Sequence, residues 1–338
     1  MDSINLDWGK LPFGYVPTPY NTRCKYSNGK WGEVEISSSE YISIHIGATC
    51  LHYGQEAFEG MKAFCGTDGK VRLFRWKDNW ERLCFSCKGV LMPEIPEDKF
   101  KDALIKAIEL NKQYIPPYGT GASLYIRPLV IGTGAKVGVS PADEYTLIIF
   151  VTPVGPYFPQ GFKCVDIQLV SDVDRAAPLG TGRYKVGGNY AASLSSIVRA
   201  GKEGYKTVLY LDAKEKRYID ECGPANFFGI KGKSYVTPDS TSILRSITNM
   251  SLCTLAEDLG LTVERRKVPI EELAEFEEVG ACGTAAVITP IKSIQDRDTG
   301  KVYSYPEEPG NYSTQLYKKL LGIQYGNEPD THGWTEVI

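Results

Sequence analysis

One lysine stands inside a glycine-rich segment of this 338-residue chain, GTGRYKVGGNY. A nucleotide phosphate loop needs a glycine directly before its lysine and a serine or threonine directly after it. Tyr184 and Val186 occupy those positions around Lys185, which excludes that motif. A partly desolvated lysine has a lowered pKa and can act as a neutral nucleophile near pH 7. Lys185 is therefore a candidate to form a Schiff base with an aldehyde such as pyridoxal phosphate, although most lysines beside glycines are surface residues.

Pyridoxal phosphate makes further demands that the chain can meet. Its pyridine nitrogen needs an acidic partner, and its phosphate needs cations or a helix N-terminus. Asp220 and Glu221 are adjacent carboxylates just before a strand turn, and a serine-opened helix start is predicted at residues 242–244. Tyr190, five residues after the lysine, is a candidate donor to the phenolic oxygen of the ring.

Strands and helices must position these groups. Residues 31–46 alternate with period two and predict strand, and residues 58–75 predict a hairpin about Asp68-Gly69. Residues 97–112 predict an amphipathic helix, and a further helix is predicted from Ser240 to Gly260. The inward face of the first of these helices carries Phe100, Leu104, Ala107 and Ile108. Strands joined by hairpins in both halves favour an α+β architecture with largely antiparallel sheets.

The composition excludes several classes of protein. A net charge of −3 gives no general attraction to nucleic acid or to an anionic membrane. Nine cysteines at irregular spacing and an N-terminus without a signal-peptide pattern predict reduced thiols and a cytoplasmic location. Three histidines argue against a histidine metal site or catalytic triad, and no metal is expected. The pair Cys84 and Cys87 is best interpreted as an inert part of a helix.

The motifs LHYGQEAFEGMKAF, VRLFR, SLYIRP, YKVGGNY, DECGPANFF, SILRS and GTAAVITP extend over nearly the whole chain. This set resembles the branched-chain amino-acid aminotransferases, which are fold-type IV pyridoxal-phosphate enzymes. The resemblance implies an α+β, two-domain fold with a smaller N-terminal domain and a larger C-terminal domain. The larger domain would hold a barrel-like, mostly antiparallel sheet, with the cofactor at the domain interface. The predicted bounds are 1–154, a linker at 155–161, and 162–338 carrying the cofactor lysine.

The resemblance also implies roles for particular residues. Lys185 would bond the cofactor and shuttle the proton in catalysis, and Glu221 rather than Asp220 would hold the pyridinium. The cofactor-binding set it implies is Arg75, Lys185, Tyr190, Glu221, Asn226, Ile243, Leu244 and Thr284. The substrate-binding set it implies is Phe58, Tyr125, Arg127, Thr284 and Ala285, joined by Tyr53 and Val139 of the other subunit of a homodimer.

The implied activity is reversible transfer of the α-amino group of L-leucine, L-isoleucine or L-valine to 2-oxoglutarate, in a ping-pong route through pyridoxamine phosphate. Small-molecule amino acids and 2-oxoacids, with no nucleic acid and no membrane, are the expected partners. The alternatives are a D-amino-acid aminotransferase or aminodeoxychorismate lyase of the same fold, and a non-catalytic metabolite-binding protein. The block LHYGQEAFEGMKAF favours the branched-chain enzymes.

Overall fold

The structure is a computed structural model that describes residues 4, 6–157 and 161–338. Its strands, in chain order, are β1 (Asn21–Ser27), β2 (Lys30–Ser37), β3 (Glu56–Phe58), β4 (Met61–Cys65), β5 (Val71–Phe74), β6 (Ser123–Gly132), β7 (Tyr145–Val154), β8 (Val165–Val170), β9 (Val208–Leu211), β10 (Ile219–Cys222), β11 (Ala225–Lys231), β12 (Ser234–Pro238), β13 (Thr262–Arg266), β14 (Glu278–Gly283), β15 (Val287–Asp296), β16 (Val302–Ser304) and β17 (Thr335–Val337). The α-helices are α1 (Thr49–Tyr53), α2 (Trp76–Gly89), α3 (Glu97–Glu109), α4 (Gly187–Lys202), α5 (Ile247–Asp258) and α6 (Asn311–Tyr325). Single 3₁₀ turns lie at Trp8–Lys10, Lys112–Tyr114 and Ile270–Ala274.

The chain divides into two compact units. The first unit comprises Met1–Pro159, Tyr184–Gly187 and Ile323–Ile338, and the second comprises Gln160–Arg183 and Gly188–Gly322. The first unit is therefore the larger, whereas the sequence predicts a smaller N-terminal domain that ends at residue 154. Residues 158–160 of the predicted linker lie outside the described residues.

The first unit holds an antiparallel sheet in the order β17-β5-β4-β6-β7-β1-β2, with β3 paired to β6. β4 and β5 form the hairpin that the sequence predicts about Asp68-Gly69. The predicted face of α3 is buried in the core of this unit, as its periodicity indicates. Acidic residues in the first turn of α3, Glu97 and Asp98, favour the helix start through the helix dipole.

Lys185 belongs to the first unit, not to the C-terminal unit in which the sequence analysis places it. The physical reason is apolar burial next to the lysine, because Val186 is packed into the same hydrophobic core as α2 and α3. The C-terminus joins this unit as well, since β17 pairs with β5 at the sheet edge.

The second unit contains a closed ring of strands. Along the sheet the order is β10-β9-β8-β15-β14-β11, and β11 pairs back to β10. The pairs β8–β9 and β8–β15 are parallel and the other pairs of the ring are antiparallel. This confirms the predicted α+β fold with a barrel-like, mostly antiparallel sheet.

Two predicted elements are wrong in extent. The strand predicted over residues 31–46 ends at Ser37. The helix predicted from Ser240 begins at Ile247, with Ser246 as its N-cap accepting from the Asn249 N–H. The physical reason is a competing acceptor, because the hydroxyls of Ser240 and Ser242 bond the buried carboxylate of Asp220 instead of capping a helix.

The CxxC pair lies on α2 with both thiols buried. Burial raises the pKa of Cys84 to about 11 and the pKa of Cys87 well above its usual value. A protonated, buried thiol is unreactive at neutral pH, which supports the interpretation of this pair as an inert part of a helix. In the described ranges, no helix is both long and apolar enough to cross a lipid bilayer.

Candidate active site

The main chain of Lys185 is held on both sides by the first unit. Its N–H donates to Ser86 Oγ at 2.9 Å, and its carbonyl accepts from the Phe58 N–H at 3.0 Å. Two residues later, the Gly187 N–H donates to the carboxylate of Glu56. A Cβ at Gly187 would lie 2.6 Å from that carboxylate, so a larger residue would require the Glu56 side chain to shift. The lysine is therefore fixed between α2 and the end of β3.

The side chain of Tyr184 fastens the same loop to α2. Its ring lies 5.0 Å from the ring of Phe85, and it covers Gly89, where a Cβ would lie only 2.4 Å from the ring. The aromatic residue that breaks the nucleotide-loop motif is therefore a packing residue that holds the lysine loop in place.

The amine of Lys185 lies in a desolvated, charged setting. Its Nζ is 4.7 Å from the centre of the Phe58 ring. Burial, aided by the positive charges of Arg82 and Arg127, lowers the pKa of Lys185 to about 8, while Glu59 and Tyr125 oppose the shift. A substantial neutral fraction then exists near physiological pH, as a nucleophile or general base requires.

Tyr125 and Arg127 lie on one face of β6, as their alternation predicts. Arg127 Nη2 donates to the Tyr125 hydroxyl at 2.9 Å, and the guanidinium carbon lies 4.8 Å from the centre of the Phe58 ring. Arg127 Nε is buried and has no hydrogen-bond partner among the described residues. A buried guanidinium with an unused N–H is suited to bind a carboxylate.

The place of Tyr125 depends on a glycine. A Cβ at Gly60 would lie 2.1 Å from the Tyr125 hydroxyl, so this position leaves space for the phenol. On the neighbouring strand Lys62 pairs in register with Tyr125, and burial lowers the pKa of Lys62 to about 8. The ring of Phe13 contacts both, at 5.4 Å from the Tyr125 ring and 5.8 Å from Lys62 Nζ.

Arg75 stands at the start of α2 in an uncommon conformation. Its φ is 50°, in the left-handed region, which costs a non-glycine residue about 1 kcal/mol and is found preferentially at functional sites. The guanidinium bonds Asp78 twice, both at 2.9 Å, and lies 5.2 Å from the centre of the Trp334 ring. The side chain is thus held in a fixed direction.

In the second unit, Glu221 on β10 is a buried carboxylate whose described partners are an arginine and a backbone N–H. Arg175 Nη2 lies 3.1 Å from its Oε1, and the Leu244 N–H donates to the same oxygen. Arg175 is fixed in turn by the carbonyl of Gly182 at 3.0 Å. An arginine and a backbone N–H both favour the ionised form of a carboxylate.

The adjacent Asp220 is in a different setting. It accepts from the hydroxyls of Ser240 at 3.0 Å and Ser242 at 2.5 Å, and burial raises its pKa. Hydroxyl donors compensate a buried charge less than an arginine does. The two neighbouring carboxylates therefore differ in charge preference, which favours Glu221 as the partner of a protonated nitrogen.

The other cofactor-binding residues predicted for this unit are partly engaged. Asn226 Nδ2 donates to the Leu244 carbonyl at 3.0 Å, and the Ile243 N–H donates to the Ser240 carbonyl at 3.4 Å. Since the Leu244 N–H bonds Glu221, neither predicted phosphate-binding N–H group is available in this structure. The first N–H groups of any α-helix lack acceptors within the helix, and on α5 these belong to Ile247 and Thr248.

Thr284 and Ala285 form the tight turn between β14 and β15, where Gly283 pairs with Val287. Val287 has a φ of 65°, a left-handed conformation that this short connection imposes. Tyr190 is half-buried near the start of α4, and its carbonyl accepts from the Ser193 hydroxyl at 2.8 Å.

The two residues predicted to reach a second subunit are both solvent-exposed. Tyr53, at the end of α1, is 39% exposed and its hydroxyl donates to the Val137 carbonyl. Val139 follows in the same loop and is 89% exposed. The hydrogen bond brings the helix end and this loop together on the surface of the first unit.

The structure joins four predicted residues of the first unit through direct contacts, namely Phe58, Tyr125, Arg127 and Lys185. In the second unit it joins Glu221, Asn226 and Leu244. Three further charged residues of these clusters, Glu59, Arg82 and Arg175, are not among the residues predicted from the sequence. The available signal was a charged residue, Glu59, inside the otherwise apolar AFEGM segment, because a buried carboxylate requires an opposite charge nearby.

Comparisons with known proteins show the family of the chain. The sequence profile of the class IV amino-transferase family matches residues 56–294. The chain belongs to the class IV aminotransferases. A branched-chain-amino-acid aminotransferase of Helicobacter pylori is 46% identical, with 98% of this chain and 97% of that protein aligned.

Solved structures of the same family are similar to this aminotransferase. The branched-chain amino acid aminotransferase of Escherichia coli superposes with a TM-score of 0.80 at 28% identity, covering 95% of this chain and 99% of that one. The branched-chain amino acid aminotransferase from Thermobaculum terrenum, solved in its PLP-form (holo-form), has a TM-score of 0.78 at 25% identity, covering 95% of this chain and 98% of that one. The predicted family and fold type are thereby confirmed.

Proposed function

We propose that this class IV aminotransferase transfers the α-amino group of L-leucine, L-isoleucine or L-valine reversibly to 2-oxoglutarate, with pyridoxal 5'-phosphate as its cofactor. The observation that carries the proposal is the setting of Lys185, a desolvated amine with a pKa of about 8 against the ring of Phe58. The relation to curated branched-chain aminotransferases over nearly the full chain supports the substrate class.

The donor set of the chain fits this cofactor and its substrates. A nucleophilic amine is offered by Lys185, an ionised carboxylate by Glu221, and an unused buried guanidinium N–H by Arg127. When bound, pyridoxal phosphate supplies an electron sink for negative charge at the substrate α-carbon and carries the amino group between the two half-reactions.

Lys185 provides the bond to the cofactor and moves the proton. With a pKa of about 8, roughly a tenth of the free amine is neutral at pH 7, against far less for an ordinary lysine. The neutral amine takes the proton from the substrate α-carbon and then returns a proton. Its main-chain contacts with Ser86 and Phe58 restrict its position for this transfer.

Glu221 holds the protonated ring nitrogen of the cofactor in this proposal. Its ion pair with Arg175 keeps the carboxylate ionised, so the proton stays on the ring nitrogen. The Leu244 N–H fixes the direction of the carboxylate. Asn226 donates to the Leu244 carbonyl and so holds the next peptide of the same segment.

The substrate side chain meets Phe58, which offers an apolar surface to the branched side chains. Arg127, next to the same ring, binds the side-chain carboxylate of glutamate or 2-oxoglutarate. The α-carboxylate is assigned to Tyr125 and to the turn N–H groups of Thr284 and Ala285. The same pocket can thus accept an aliphatic side chain or a carboxylate. The Arg127 guanidinium is not left without a partner in either case, because it keeps its bond to the Tyr125 hydroxyl.

The phosphate is assigned to Arg75 and to the Thr284 hydroxyl, and Tyr190 is assigned to the phenolic oxygen. The N–H groups of Ile243 and Leu244 are replaced in this proposal by those at the start of α5, because the former already have acceptors. The helix dipole adds a favourable positive potential for a phosphate at that end of α5.

A homodimer is also part of the proposal. Exposed apolar residues lie on α1 and in the loop bonded to its end, among them Leu51, Val137 and Val139, and Tyr53 and Val139 would reach the second subunit. All nine cysteines are unpaired, which fits a reducing compartment, and a cytoplasmic location is therefore proposed.

The decisive experiment is borohydride reduction of the yellow holoenzyme followed by peptide mapping. The label is expected on Lys185 in the wild type and absent in Lys185→Ala. Lys62→Ala is the matched control, since Lys62 is the other lysine whose pKa burial lowers to about 8. Label on Lys62, or on no lysine, would contradict the proposed role of Lys185.

Substrate class is tested separately with half-reactions. L-leucine should bleach the cofactor absorbance of the wild type and D-alanine should not. Bleaching by D-alanine alone would indicate a D-amino-acid aminotransferase, and formation of 4-aminobenzoate would indicate the lyase.

A further inference from the structure

Glu59 is a fully buried carboxylate immediately after the ring that faces the lysine. Its side chain is 0% exposed and receives two bonds from Arg82, Nε to Oε1 at 2.7 Å and Nη2 to Oε2 at 2.8 Å. Asn79 Nδ2 donates to Oε2 at 2.8 Å, and the Gly60 N–H donates to the same atom at 3.1 Å. Every oxygen of this carboxylate is therefore used inside the first unit.

This cluster joins two segments that each hold Lys185. Glu59 follows Phe58, whose N–H donates to the Lys185 carbonyl. Arg82 lies one turn before Ser86 on α2, and the Ser86 hydroxyl donates to the Arg82 carbonyl at 2.9 Å while accepting from the Lys185 N–H. The ion pair thus connects the segment that contains Phe58 to helix α2, and both of these bond the Lys185 main chain.

A buried ion pair contributes little net stability to the contact between a strand and a helix. Desolvation of both charges offsets much of their attraction, and an apolar pair of similar volume is often at least as stable. Stability alone therefore gives little reason for charges at this point. The charges face an amine whose ionisation matters for the chemistry.

We propose that the Glu59–Arg82 pair, with Asn79, is a positioning device for Lys185 that fixes its main chain and whose two charges act on its amine in opposite directions. For its consequence in catalysis this rests on the proposed function, but the pair itself can be tested on the chain without cofactor. Glu59 and Arg82 are positioning residues in this proposal and not catalytic residues.

Among the described residues, the charged and titratable groups that act most on the Lys185 amine include Arg82, Glu59, Tyr125 and Arg127. Arg82 and Arg127 favour the neutral amine, whereas Glu59 and Tyr125 favour the ammonium form. Removal of the Glu59 charge should thus lower the protonation midpoint of the lysine, and removal of the Arg82 charge should raise it. Opposite shifts from two halves of one ion pair are not expected if the pair only supports the fold.

The experiment is trace acetylation of the full-length, cofactor-free chain at a series of pH values, with the extent at Lys185 measured by mass spectrometry. For Glu59→Gln, the half-maximal pH should fall by about one unit. For Arg82→Gln, it should rise by about one unit. The double variant should return to within a few tenths of a unit of the wild type, because the pair is then neutral as a whole.

Lys62 is the internal control in every sample. Burial is what lowers the pKa of Lys62, whereas the pKa of Lys185 also responds to the charges of Glu59 and Arg82. The half-maximal pH of Lys62 should stay constant in all variants. Equal shifts at Lys62 and Lys185 would indicate general loosening of the first unit and overturn the proposal.

Two further variants keep the test decisive if a single charge removal prevents folding. Arg82→Lys retains the positive charge and should leave the Lys185 midpoint near that of the wild type. Asp68→Asn removes a comparable two-bond carboxylate–arginine contact, with Arg72 at a surface turn, and should change neither midpoint. Shifts of the same sign in Glu59→Gln and Arg82→Gln, or no shift in either, would overturn the proposal even if both variants fold.

Discussion

The two units each contain a buried carboxylate–arginine pair, and the pairs are built differently. In the first unit Arg82 donates to both oxygens of Glu59, so the contact is bidentate. In the second unit Arg175 meets one oxygen of Glu221 at 3.1 Å, and that oxygen also accepts from the Leu244 N–H.

The difference bears on the role of each carboxylate. In the Glu59–Arg82 pair both carboxylate oxygens are bonded. The two charges of the pair act on the neighbouring Lys185 amine. The two described partners of the Glu221 carboxylate, Arg175 and the Leu244 N–H, both meet Oε1. We therefore assign the Glu59–Arg82 pair to positioning a neighbouring group, and the Glu221 carboxylate, within the proposed function, to holding a ring nitrogen.

The largest effect is expected from Glu221→Gln. A neutral amide lacks the negative charge that keeps the ring nitrogen protonated, so kcat/KM for L-leucine should fall by about a thousandfold. Steady-state kinetics measures this loss. Asp220→Asn is the matched control, one residue away and also buried, and should lose less than about tenfold. A larger loss for Asp220→Asn would reverse the assignment of the two carboxylates.

Arg175→Gln sharpens the comparison through stability. Removal of one partner of a buried ion pair leaves an uncompensated charge, so the free energy of unfolding should fall by about 3 to 5 kcal/mol. Urea unfolding of the cofactor-free chain gives this value. Arg199→Gln, which breaks the more exposed pair with Asp172, should cost at most about 1 kcal/mol. Equal losses would show that burial of the Arg175–Glu221 pair does not increase its effect on the free energy of unfolding.

A pH dependence is expected from the first unit. The pKa of Lys185 is about 8 in the folded chain and 10.5 when unperturbed, so the unfolded state binds more protons between these values. The stability of the cofactor-free chain should consequently rise with pH over that window, by up to about 3 kcal/mol from this group. Lys185→Met should lack this part of the rise. Identical slopes for the two proteins in urea titrations would contradict the lowered pKa.

The smallest effect is one of substrate preference. Arg127→Ala should lower kcat/KM for glutamate about a hundredfold and for L-leucine by less than tenfold, since only glutamate brings a side-chain carboxylate to the guanidinium. The ratio of the two constants is the measurement. Equal losses for both substrates would mean that Arg127 supports Phe58 and Tyr125 instead of binding a carboxylate.

Local patterns predicted the local parts of this molecule. The apolar spacing of α3, the β4–β5 hairpin and the shared face of Tyr125 and Arg127 follow from periodicities of 3.6 and 2. The barrel and the family followed from motif order. The site residues themselves remain predictions that the experiments above test.

The features that local patterns did not predict depend on contacts between segments that are distant in the sequence. Glu59 and Arg82 are 23 positions apart, and nothing in either segment alone identifies the partner. The start of α5 was displaced because Ser240 and Ser242 bond Asp220, a tertiary contact that outweighs their capping tendency. The unit to which Lys185 belongs was decided by the burial of Val186.

The closed ring of the second unit has a consequence for how the protein is made. Glu221 is aligned opposite Asn226 by the β10–β11 pairing, which completes a circuit that also requires β8 to lie beside β15, from the other end of that unit. Contacts of such long sequence separation form slowly because loop closure must be completed first. Closure of the ring is thus tied to synthesis of β15, and a nascent chain that stops before it has no circuit to close.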